Sequence, residues 1–282
     1  MIIRRLRTIE EFQDHSRSMQ PIYYDRREYE MALQTAYKGS TNFSVNGFSY
    51  PAKQMVEFQV DTLYSDGINI NWRERMVCPV TGLNNRLRAA IQFIDTELGL
   101  LPHESIYITE QVTPLFAFLA TRHIHLTGSE FLGADVPLGA SDSRGIRNED
   151  LTKLTFSDDT FDVLLSFECF EHMPNFSGGI NEVGRVLKPG GRMLWSVPFR
   201  ADLEKNLIRA EISEDGSIVH HHTPEYHGDP VNTNGCLCFT HFGWEMLNQV
   251  REAGFRDAYA LAYWSDIFGY LGREQLIFVA VK

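Results

Sequence analysis

The stretch from Asn148 to Phe199 constrains the fold most, because its pattern predicts two strands with a helix and a glycine turn between them. The run Phe161–Phe167 is apolar except at two positions, which is typical of a strand buried on both faces of a parallel sheet. Apolar residues then recur at helical spacing over Ile180–Leu187. Because proline cannot continue a helix and glycine adopts positive φ, Pro189–Gly191 end it, and Met193–Val197 are predicted as the next strand. The pattern therefore indicates an α/β fold.

Two short motifs in this stretch carry a resemblance to a known family. Glu171 and His172 form an EH pair just after the first predicted strand, and the letters RVLKPGG precede the second. These residues closely resemble the class I S-adenosylmethionine-dependent methyltransferases of the type 11 branch, over roughly Ile106 to Lys282. The resemblance implies a Rossmann-like, doubly wound α/β sheet of about seven strands with a terminal antiparallel hairpin. It also implies S-adenosyl-L-methionine as the cofactor.

The character of the sequence changes near residue 100. Residues 1–38 predict helix, and residues 41–71 predict short β runs with an Asn-Gly turn, after which a further helix follows. We therefore predict a small α+β N-terminal module over residues 1–99 and a methyltransferase domain over residues 100–282. The methyltransferase domain is expected to carry an insertion at residues 200–240.

The N-terminal module has a second, weaker resemblance, to a zinc-knuckle layout. A hairpin is followed by CPVTG, but Thr81 stands where the second thiol of a CPxC turn would be, so that only Cys78 remains. Structural zinc needs about four thiolate or imidazole ligands. We therefore expect no metal there and interpret Cys78 as a buried cysteine.

Composition excludes several functional classes. The chain has 282 residues, 43% of them hydrophobic, and its longest apolar runs are far too short to cross a bilayer. The amino terminus carries charges but no hydrophobic signal core, so we expect a cytoplasmic protein without a membrane partner. A formal net charge of −11 disfavours a nucleic-acid partner, because phosphates would be repelled. Four scattered cysteines are too few for a disulfide framework, and we expect them to be reduced.

The first strand of the resembling fold ends in an acidic residue followed by glycines that let the cofactor approach the backbone. Here Glu110 matches the acid, but the glycine positions hold Val112, Pro114 and Phe116. The first motif is therefore atypical. Thr113 fits a helix N-cap with proline at the first helical position, so the amide groups near Thr113 are expected to face the cofactor.

Three further segments are expected to contact the cofactor. Glu130 follows a short β run 20 residues after the acid of the first motif, a spacing typical of a carboxylate that accepts hydrogen bonds from ribose hydroxyls. The adjacent Phe131 would pack on the adenine. By the resemblance, Asp150 lies at the end of a short third strand and accepts a hydrogen bond from the adenine amino group beside the Leu151 amide, and Phe167 lines the pocket floor. The alternatives are a solvated loop end for Glu130 and a turn or N-cap role for Asp150.

The end of the fourth strand of this fold supplies the predicted acceptor side. Open α/β sheets bind ligands at the carboxyl ends of their strands, so Glu168 and Glu171 are expected to bind the substrate. The resemblance places the EH pair at the border of the cleft, and an ordinary histidine pKa of roughly 6.5 suits His172 as a general base. The alternative is that His172 only hydrogen-bonds locally and holds the loop.

The insertion contains SIVHHHTPEYHGDP, in which four histidines fall inside eight positions. Imidazole and carboxylate side chains suit zinc, iron or manganese, but neighbouring side chains of an extended run point to opposite faces, so no metal is expected. We predict instead a loop that lends His222, Tyr226 or His227 to the substrate, with an exposed loop as the alternative. Cys236 and Cys238 are interpreted as packing residues.

The predicted activity is methyl transfer from S-adenosylmethionine to a small polar acceptor, by O- or N-methylation. In-line attack on the sulfonium methyl needs both reactants held at near-attack distance without water. His172 or His227 is the expected general base for a hydroxyl acceptor. A small molecule such as a sugar or a carrier-linked intermediate fits the acidic composition better than nucleic acid.

Two other functional classes stay open from the sequence. The missing glycines favour a catalytically inactive methyltransferase-like binding or scaffold protein, which would bind no S-adenosylmethionine. A nicotinamide-dependent enzyme on a related sheet is disfavoured, because no G-x-G-x-x-G run opens a helix. The sequence does not indicate an oligomeric state.

Overall fold

The computed structural model describes residues 2–66 and 69–282. The chain divides into two compact units. The first combines Met1–Leu6, Glu10–Gly99 and Ala260–Ile277, and the second combines Arg7–Ile9, Leu100–Tyr259 and Phe278–Lys282. Whether these units act as the two predicted domains stays a prediction. Within the described residues, no helix has the length and apolar character needed to span a membrane.

The described residues up to Gly99 form a strand, a long helix, a hairpin and a second helix. Asn84 caps the second helix, since its side chain accepts a hydrogen bond from the Leu87 amide. Ile2–Leu6 differ from the predicted helix over residues 1–38, because they pair antiparallel with residues 260–264, which satisfy their backbone groups. The elements are β1 (Ile2–Leu6), α1 (Ile9–Ala36), β2 (Asn42–Ser49), β3 (Gln54–Asp61), α2 (Asn85–Phe93) and a π-helical turn (Ile94–Leu98).

The rest of the chain alternates strands and helices and then forms short hairpins. The first elements are β4 (Ile106–Ile108), α3 (Pro114–Ala120), β5 (Leu126–Gly128), β6 (Phe161–Phe167), a 3-10 turn (Phe170–His172), α4 (Phe176–Val186) and β7 (Leu187–Ser196). The short strands are β8 (Leu207–Ile208), β9 (Ala210–Ile212), β10 (Ile218–His220), β11 (Tyr226–His227), β12 (Cys236–Leu237) and β13 (Thr240–His241). The last elements are α5 (Glu245–Glu252), β14 (Asp257–Ser265) and β15 (Tyr270–Val281).

The main sheet has seven strands in the order β1-β14-β15-β7-β6-β4-β5. β4 pairs in parallel with β5 and β6, and β6 with β7, whereas β15 runs antiparallel to β7. The predicted Rossmann-like α/β sheet of about seven strands is confirmed. The short third strand expected before Asp150 is reduced to a single parallel bridge between Glu130 and Asn148.

Helix α4 shows how the second unit builds its core. Asn175 caps the helix, because its side chain accepts a hydrogen bond from the Gly178 amide. Ile180, Val183 and Val186 recur on one face and are buried. Burial of each such side chain contributes roughly 1.5–3 kcal/mol, so this face holds the helix on the sheet.

Cys78 lies in the core of the first unit. Its side chain is fully buried, and Ser49 Oγ donates a hydrogen bond to its sulfur at 3.2 Å. The surrounding cluster is apolar and includes Val45, Phe58, Val60, Trp72, Met76 and Leu271. The prediction of a buried cysteine at this position is confirmed.

Candidate active site

The candidate site lies in the second unit, at the carboxyl ends of its parallel strands. β4 ends at Ile108, two residues before the half-buried Glu110. β6 and β7 end side by side, with Phe167 paired to Ser196, and the 3-10 turn Phe170–His172 follows β6. Because parallel strands bring their carboxyl ends to one edge of a sheet, ligands of such folds bind there.

Glu171 is a buried acid at this edge. Its side chain has no exposed surface, and its Oε1 lies 3.3 Å from His227 Nδ1 and 3.5 Å from His172 Nε2. Burial raises the pKa of Glu171, although hydrogen bonding to His227 acts in the opposite direction. Glu171, His172 and His227 thus form one carboxylate–imidazole cluster, which brings together three of the predicted site residues.

His172 has a defined tautomer in this cluster. Its Nδ1 donates a hydrogen bond to the Leu237 carbonyl oxygen at 2.9 Å, since a carbonyl oxygen can only accept. Nε2 is therefore the nitrogen that can take up a proton. The His172 ring also meets the His227 ring edge-on, with their centroids 4.9 Å apart.

His227 lies between two carboxylates. Its Nε2 is 3.0 Å from Glu225 Oε1, and its Nδ1 faces Glu171. Hydrogen bonding to Glu171, with a further contribution from Glu225, outweighs burial and raises the pKa of His227 to about 9. The imidazole therefore carries a positive charge at neutral pH.

Glu225 connects the cluster to a further polar group. Its Oε1 also lies 3.2 Å from His241 Nε2, and its Oε2 lies 3.1 Å from a guanidinium nitrogen of Arg209. The sequence motifs assign no role to Arg209 or His241, because each reaches Glu225 only through pairing of the short strands. These residues extend the polar network away from Glu171.

A short hairpin of the insertion brings His227 into the cluster. β11 pairs with β12 so that Tyr226 lies opposite Leu237. Side chains alternate along a strand, which leaves Tyr226 59% exposed and turns His227 inward. The Phe239 amide donates to the Glu171 carbonyl oxygen at 2.7 Å, so the backbone of the insertion is fixed to the turn after β6.

The other predicted substrate residues are placed differently. His222 is exposed, and in the described part of the chain neither His222 nor Tyr226 contributes a group to the carboxylate–imidazole cluster. Glu168 accepts a hydrogen bond from Ser196 Oγ at 2.7 Å and has a left-handed φ of 51°. That conformation costs roughly 1–3 kcal/mol for a residue with a side chain and is often found at functional sites.

On the cofactor side, Glu130 holds the loop that follows β4. Its Oε1 accepts hydrogen bonds from the amides of Gln111 and Val112 at 2.7 and 3.0 Å. The Gln111 side chain donates to the Gly145 carbonyl oxygen at 3.0 Å and accepts from the Arg147 amide at 2.8 Å. Burial raises the pKa of Glu130. Side-chain hydrogen bonds therefore order this loop, which lacks the expected glycines.

The Phe116 ring lies in the space that a side chain at Gly128 of β5 would need. A Cβ atom on Gly128 would lie 2.5 Å from Phe116 Cε2 and 2.7 Å from the Glu110 carbonyl oxygen, far inside van der Waals contact. The ring therefore packs directly on the β5 backbone. Thr113 caps α3 by accepting a hydrogen bond from the Phe116 amide at 3.2 Å, and Pro114 opens the helix, so the predicted helix start is confirmed.

The remaining predicted cofactor residues are Asp150, which is hydrogen-bonded within the chain, and three apolar residues that differ in exposure. Asp150 Oδ1 accepts hydrogen bonds from the Thr152 amide and hydroxyl at 2.8 and 2.7 Å, which is the turn role named above as the alternative. Leu151 is buried, Phe167 is half-buried and Phe131 is 63% exposed. Asp150 Oδ1 is therefore already engaged within the chain.

Asn148 shapes the loop that carries Phe131, although no sequence motif marks it. Asn148 is fully buried. Its side chain accepts a hydrogen bond from the Leu132 amide at 2.7 Å and donates to the Gly133 carbonyl oxygen at 3.0 Å. The exposed position of Phe131 thus follows from a buried amide 17 positions further along the chain.

Residues 117–195 match the family model of the methyltransferase domain. This segment contains β6, the EH pair and α4, which together position the carboxylate–imidazole cluster. This match supports, over that segment, the resemblance to the class I S-adenosylmethionine-dependent methyltransferases. The matched segment begins after Phe116, so the glycine-less loop of this chain lies outside it.

Curated relatives share only part of their length with this chain. The sterol 24-C-methyltransferase ERG6B of Gibberella zeae is 28% identical over 132 residues, which are 45% of this chain and 33% of that protein. The sterol 4-C-methyltransferase strm-1 of Caenorhabditis elegans is 39% identical over 57 residues, which are 20% of this chain and 17% of that protein. The chain thus spans about a third or less of the length of these relatives.

Several solved methyltransferase structures are similar to this chain. The 1,6-didemethyltoxoflavin-N1-methyltransferase of Burkholderia thailandensis, with bound S-adenosylhomocysteine, is 17% identical with a TM-score of 0.42, over 70% of this chain and 77% of that chain. An S-adenosylmethionine-dependent methyltransferase of Mesorhizobium loti is 17% identical with a TM-score of 0.42, over 70% and 100%. The glycopeptide N-methyltransferase MtfA is 15% identical with a TM-score of 0.44, over 69% and 89%.

Proposed function

We propose that the chain transfers the methyl group of S-adenosylmethionine to a hydroxyl or amino group of a small polar molecule. The observation that carries this proposal is the carboxylate–imidazole cluster at the carboxyl edge of a methyltransferase-type sheet. A neutral alcohol is a poor nucleophile, so its methylation gains from a base at the reacting oxygen. A sugar or a carrier-linked intermediate is the proposed kind of acceptor.

S-adenosyl-L-methionine is the proposed methyl donor, with its nucleoside across the ends of β4 and β5. Glu130 Oε1 accepts hydrogen bonds from two loop amides. Glu130 Oε2 is therefore the oxygen proposed to accept hydrogen bonds from the ribose hydroxyls. Asp150 Oδ1 is engaged with Thr152, which leaves Oδ2 for the adenine amino group. Further proposed cofactor contacts come from Glu110, Thr113, Phe131, Leu151 and Phe167.

His172 is the proposed general base. Its Nδ1 is fixed on the Leu237 carbonyl oxygen, so Nε2 takes the acceptor proton while the acceptor oxygen attacks the sulfonium methyl in line. When bound, S-adenosylmethionine would supply the methyl group and would leave as the neutral thioether with the electron pair of the carbon–sulfur bond, while His172 would hold the acceptor proton. Glu171, 3.5 Å from Nε2, stabilises the imidazolium that forms.

His227 is the second base named by the sequence, and its contacts favour a different role. Both of its ring nitrogens face carboxylates, Glu171 and Glu225. We therefore assign His227 as a positioning residue that orients Glu171 toward His172. Glu168, at the strained strand tip, and Glu171 are the proposed neighbours of the acceptor, with His222 and Tyr226 at the outer side of the insertion.

Calorimetry and a labelled-methyl assay test this proposal. We expect S-adenosylmethionine and S-adenosylhomocysteine to bind, and labelled methyl to appear on a hydroxyl-bearing member of a panel of sugars and carrier-linked compounds. His172→Ala should bind S-adenosylmethionine like the wild type but lose about 10²–10⁴-fold in transfer rate. Lys205→Ala, which changes an exposed side chain of the insertion outside the site, should retain both properties.

Three outcomes would contradict parts of the proposal. Absence of binding heat with millimolar cofactor would favour the scaffold alternative. Unchanged transfer by His172→Ala would remove the base assignment but leave methyl transfer in place. Because the curated relatives are sterol methyltransferases, the panel includes a sterol, and its carbon methylation would overturn the polar-acceptor assignment.

A further inference from the structure

A second group of metal-ligating side chains lies beside the carboxylate–imidazole cluster. It consists of Glu225, Cys238 and His241, whose ligand atoms all lie within 4.8 Å of one another. None of the three is used as an acid or base in the proposed methyl transfer. We propose that Glu225, Cys238 and His241 bind a zinc ion.

The donor set of this site fits zinc. A thiolate, an imidazole and a carboxylate are the three ligand types that proteins use for zinc. The sulfur of Cys238 excludes magnesium and calcium as preferred ions, because these hard cations select oxygen ligands. Three protein ligands leave one tetrahedral position for a water molecule or another ligand.

The distance between Glu225 and His241 is close to that between two ligands that share one ion. Glu225 Oε1 and His241 Nε2 are 3.2 Å apart. Two atoms that each lie about 2.0–2.1 Å from a tetrahedral ion are about 3.3–3.4 Å apart. A zinc ion therefore needs only a small widening of this pair, with the Nε2 lone pair directed at the metal.

The backbone places Cys238 next to Glu225. The Cys238 amide donates to the Glu225 carbonyl oxygen at 2.8 Å, so the two residues lie opposite each other at the end of the β11–β12 hairpin. Cys238 and His241 form a C-x-x-H run. Cys238 is 1% exposed, whereas the side chains of His241 and Glu225 are 17% and 36% exposed, which gives an ion access from solvent.

The surroundings of the site are compatible with a bound cation. Arg209 lies 3.1 Å from Glu225 Oε2, as outer partners of metal-binding carboxylates do, and Glu225 Oε1 lies 3.2 Å from His241 Nε2 and 3.0 Å from His227 Nε2. One carboxylate and one thiolate match the two charges of zinc, while Arg209 pairs with Glu225 Oε2 and His227 also pairs with Glu171. Among the described residues, the Cys238 thiol makes a long contact of 3.5 Å with the Thr240 carbonyl oxygen, which it would give up with its proton.

A zinc ion at this place would join the β11–β12 hairpin to β13. Glu225 immediately precedes β11, and His241 ends β13. The ion would therefore fix the insertion segment that carries His227, in addition to the short backbone pairing. This role is structural and does not depend on the methyl-transfer reaction.

Cobalt binding to chelator-treated full-length protein tests the proposal, because cobalt(II) substitutes for zinc and absorbs light. We expect one equivalent of cobalt to give a thiolate-to-cobalt charge-transfer band that added zinc removes. Cys238→Ser should abolish this band, and His241→Ala should weaken cobalt binding by more than about tenfold. Cys236→Ser, two residues away in the same hairpin, and Lys205→Ala, an exposed site in the insertion, should behave like the wild type.

The experiment has clear negative outcomes. A wild-type protein that gives no charge-transfer band would overturn the proposal, and so would a band that survives Cys238→Ser or disappears equally in Cys236→Ser. Circular dichroism of each variant separates loss of binding from loss of folding. Since neither methyl donor nor acceptor is present, failure here is distinguishable from failure of the methyl-transfer proposal.

Discussion

The loop after β4 and the turn after β6 follow adjacent strands, yet they obtain their geometry in opposite ways. The β4 loop lacks the glycines of the resembling family, and it is held by hydrogen bonds that Glu130 accepts from loop amides and that the Gln111 side chain donates to the Gly145 carbonyl oxygen. The β6 turn keeps the family EH pair, but His172 is oriented by a carbonyl group 65 positions away, at Leu237. A lost motif can thus be replaced by nearby side chains, whereas a retained motif still depends on distant residues.

The largest expected effect comes from removing the charge at the β6 turn. Glu171→Gln keeps the size of the side chain but cannot stabilise the imidazolium of His172, so kcat should fall by about 100-fold or more. Glu204→Gln, an exposed acid of the insertion, should leave kcat unchanged. Steady-state kinetics with calorimetric cofactor titration separates the two steps. An equal loss of cofactor affinity would mean that the two regions are not functionally distinct.

A substitution in the β4 loop should weaken cofactor binding instead of lowering kcat. Glu130→Gln removes a charged acceptor, and a hydrogen bond to a charged group contributes about 1.5–3 kcal/mol, which corresponds to a 10–150-fold weaker affinity for S-adenosylmethionine. Asp135→Asn, an exposed neighbour, is the matched control. An unchanged Kd in calorimetry would show that Glu130 serves only the loop backbone.

The packing of Phe116 against Gly128 predicts how a substitution at this glycine changes the free energy of unfolding. Gly128→Ala forces a Cβ atom against the Phe116 ring and the Glu110 carbonyl oxygen, and should lower the free energy of unfolding by about 1–3 kcal/mol. Gly228→Ala, where the added Cβ meets nothing within 4 Å, should change it by less than about 0.5 kcal/mol. Urea denaturation measures both. Equal effects at the two glycines would contradict the packing argument.

The smallest expected effect is a pH dependence at the beginning of β6. Burial acts to raise the pKa of Asp162, but hydrogen bonds from Lys188 and Ser105 outweigh it and lower this pKa from 3.8 to about 2. A lowered carboxyl pKa stabilises the fold above the unfolded value, and this contribution is lost as the pH falls from about 4 to about 2. Asp162→Asn should therefore flatten the acid branch of stability, measured by urea denaturation against pH. The same slope in wild type and variant would refute this, and Asp135→Asn is the control.

Much of the fold could be predicted because burial imposes a period on the sequence. β6 is buried on both faces and α4 on one, so their apolar patterns are distinct. β1 could not be predicted, because five residues at a sheet edge carry too short a pattern to separate a strand from the following helix. The third parallel strand was overpredicted, since Asn148 satisfies the loop backbone with its side chain instead.

The site was predictable only where its residues are adjacent in sequence. Glu171 and His172 form a local motif in the sequence. His227 is one of four histidines in the insertion, and only the alternation of side chains in the β11–β12 hairpin shows that His227 is the one that faces Glu171. Gln111 and His241 carry no local signal, because their partners lie at distant positions. Cys238 was interpreted as a packing residue, since its position opposite Glu225 follows only from strand register.

Hairpin β11–β12 pairs only two residues of each strand. A slip of this pairing by one residue exchanges the two sides of a strand, so a phenol would replace an imidazole beside Glu171 while every residue of the chain stayed the same. Such a conformer would keep the sheet and lose the assigned chemistry. The pairing of these four residues is thus a condition for the proposed activity, and mutations far from any reacting atom are expected to abolish the proposed turnover through it.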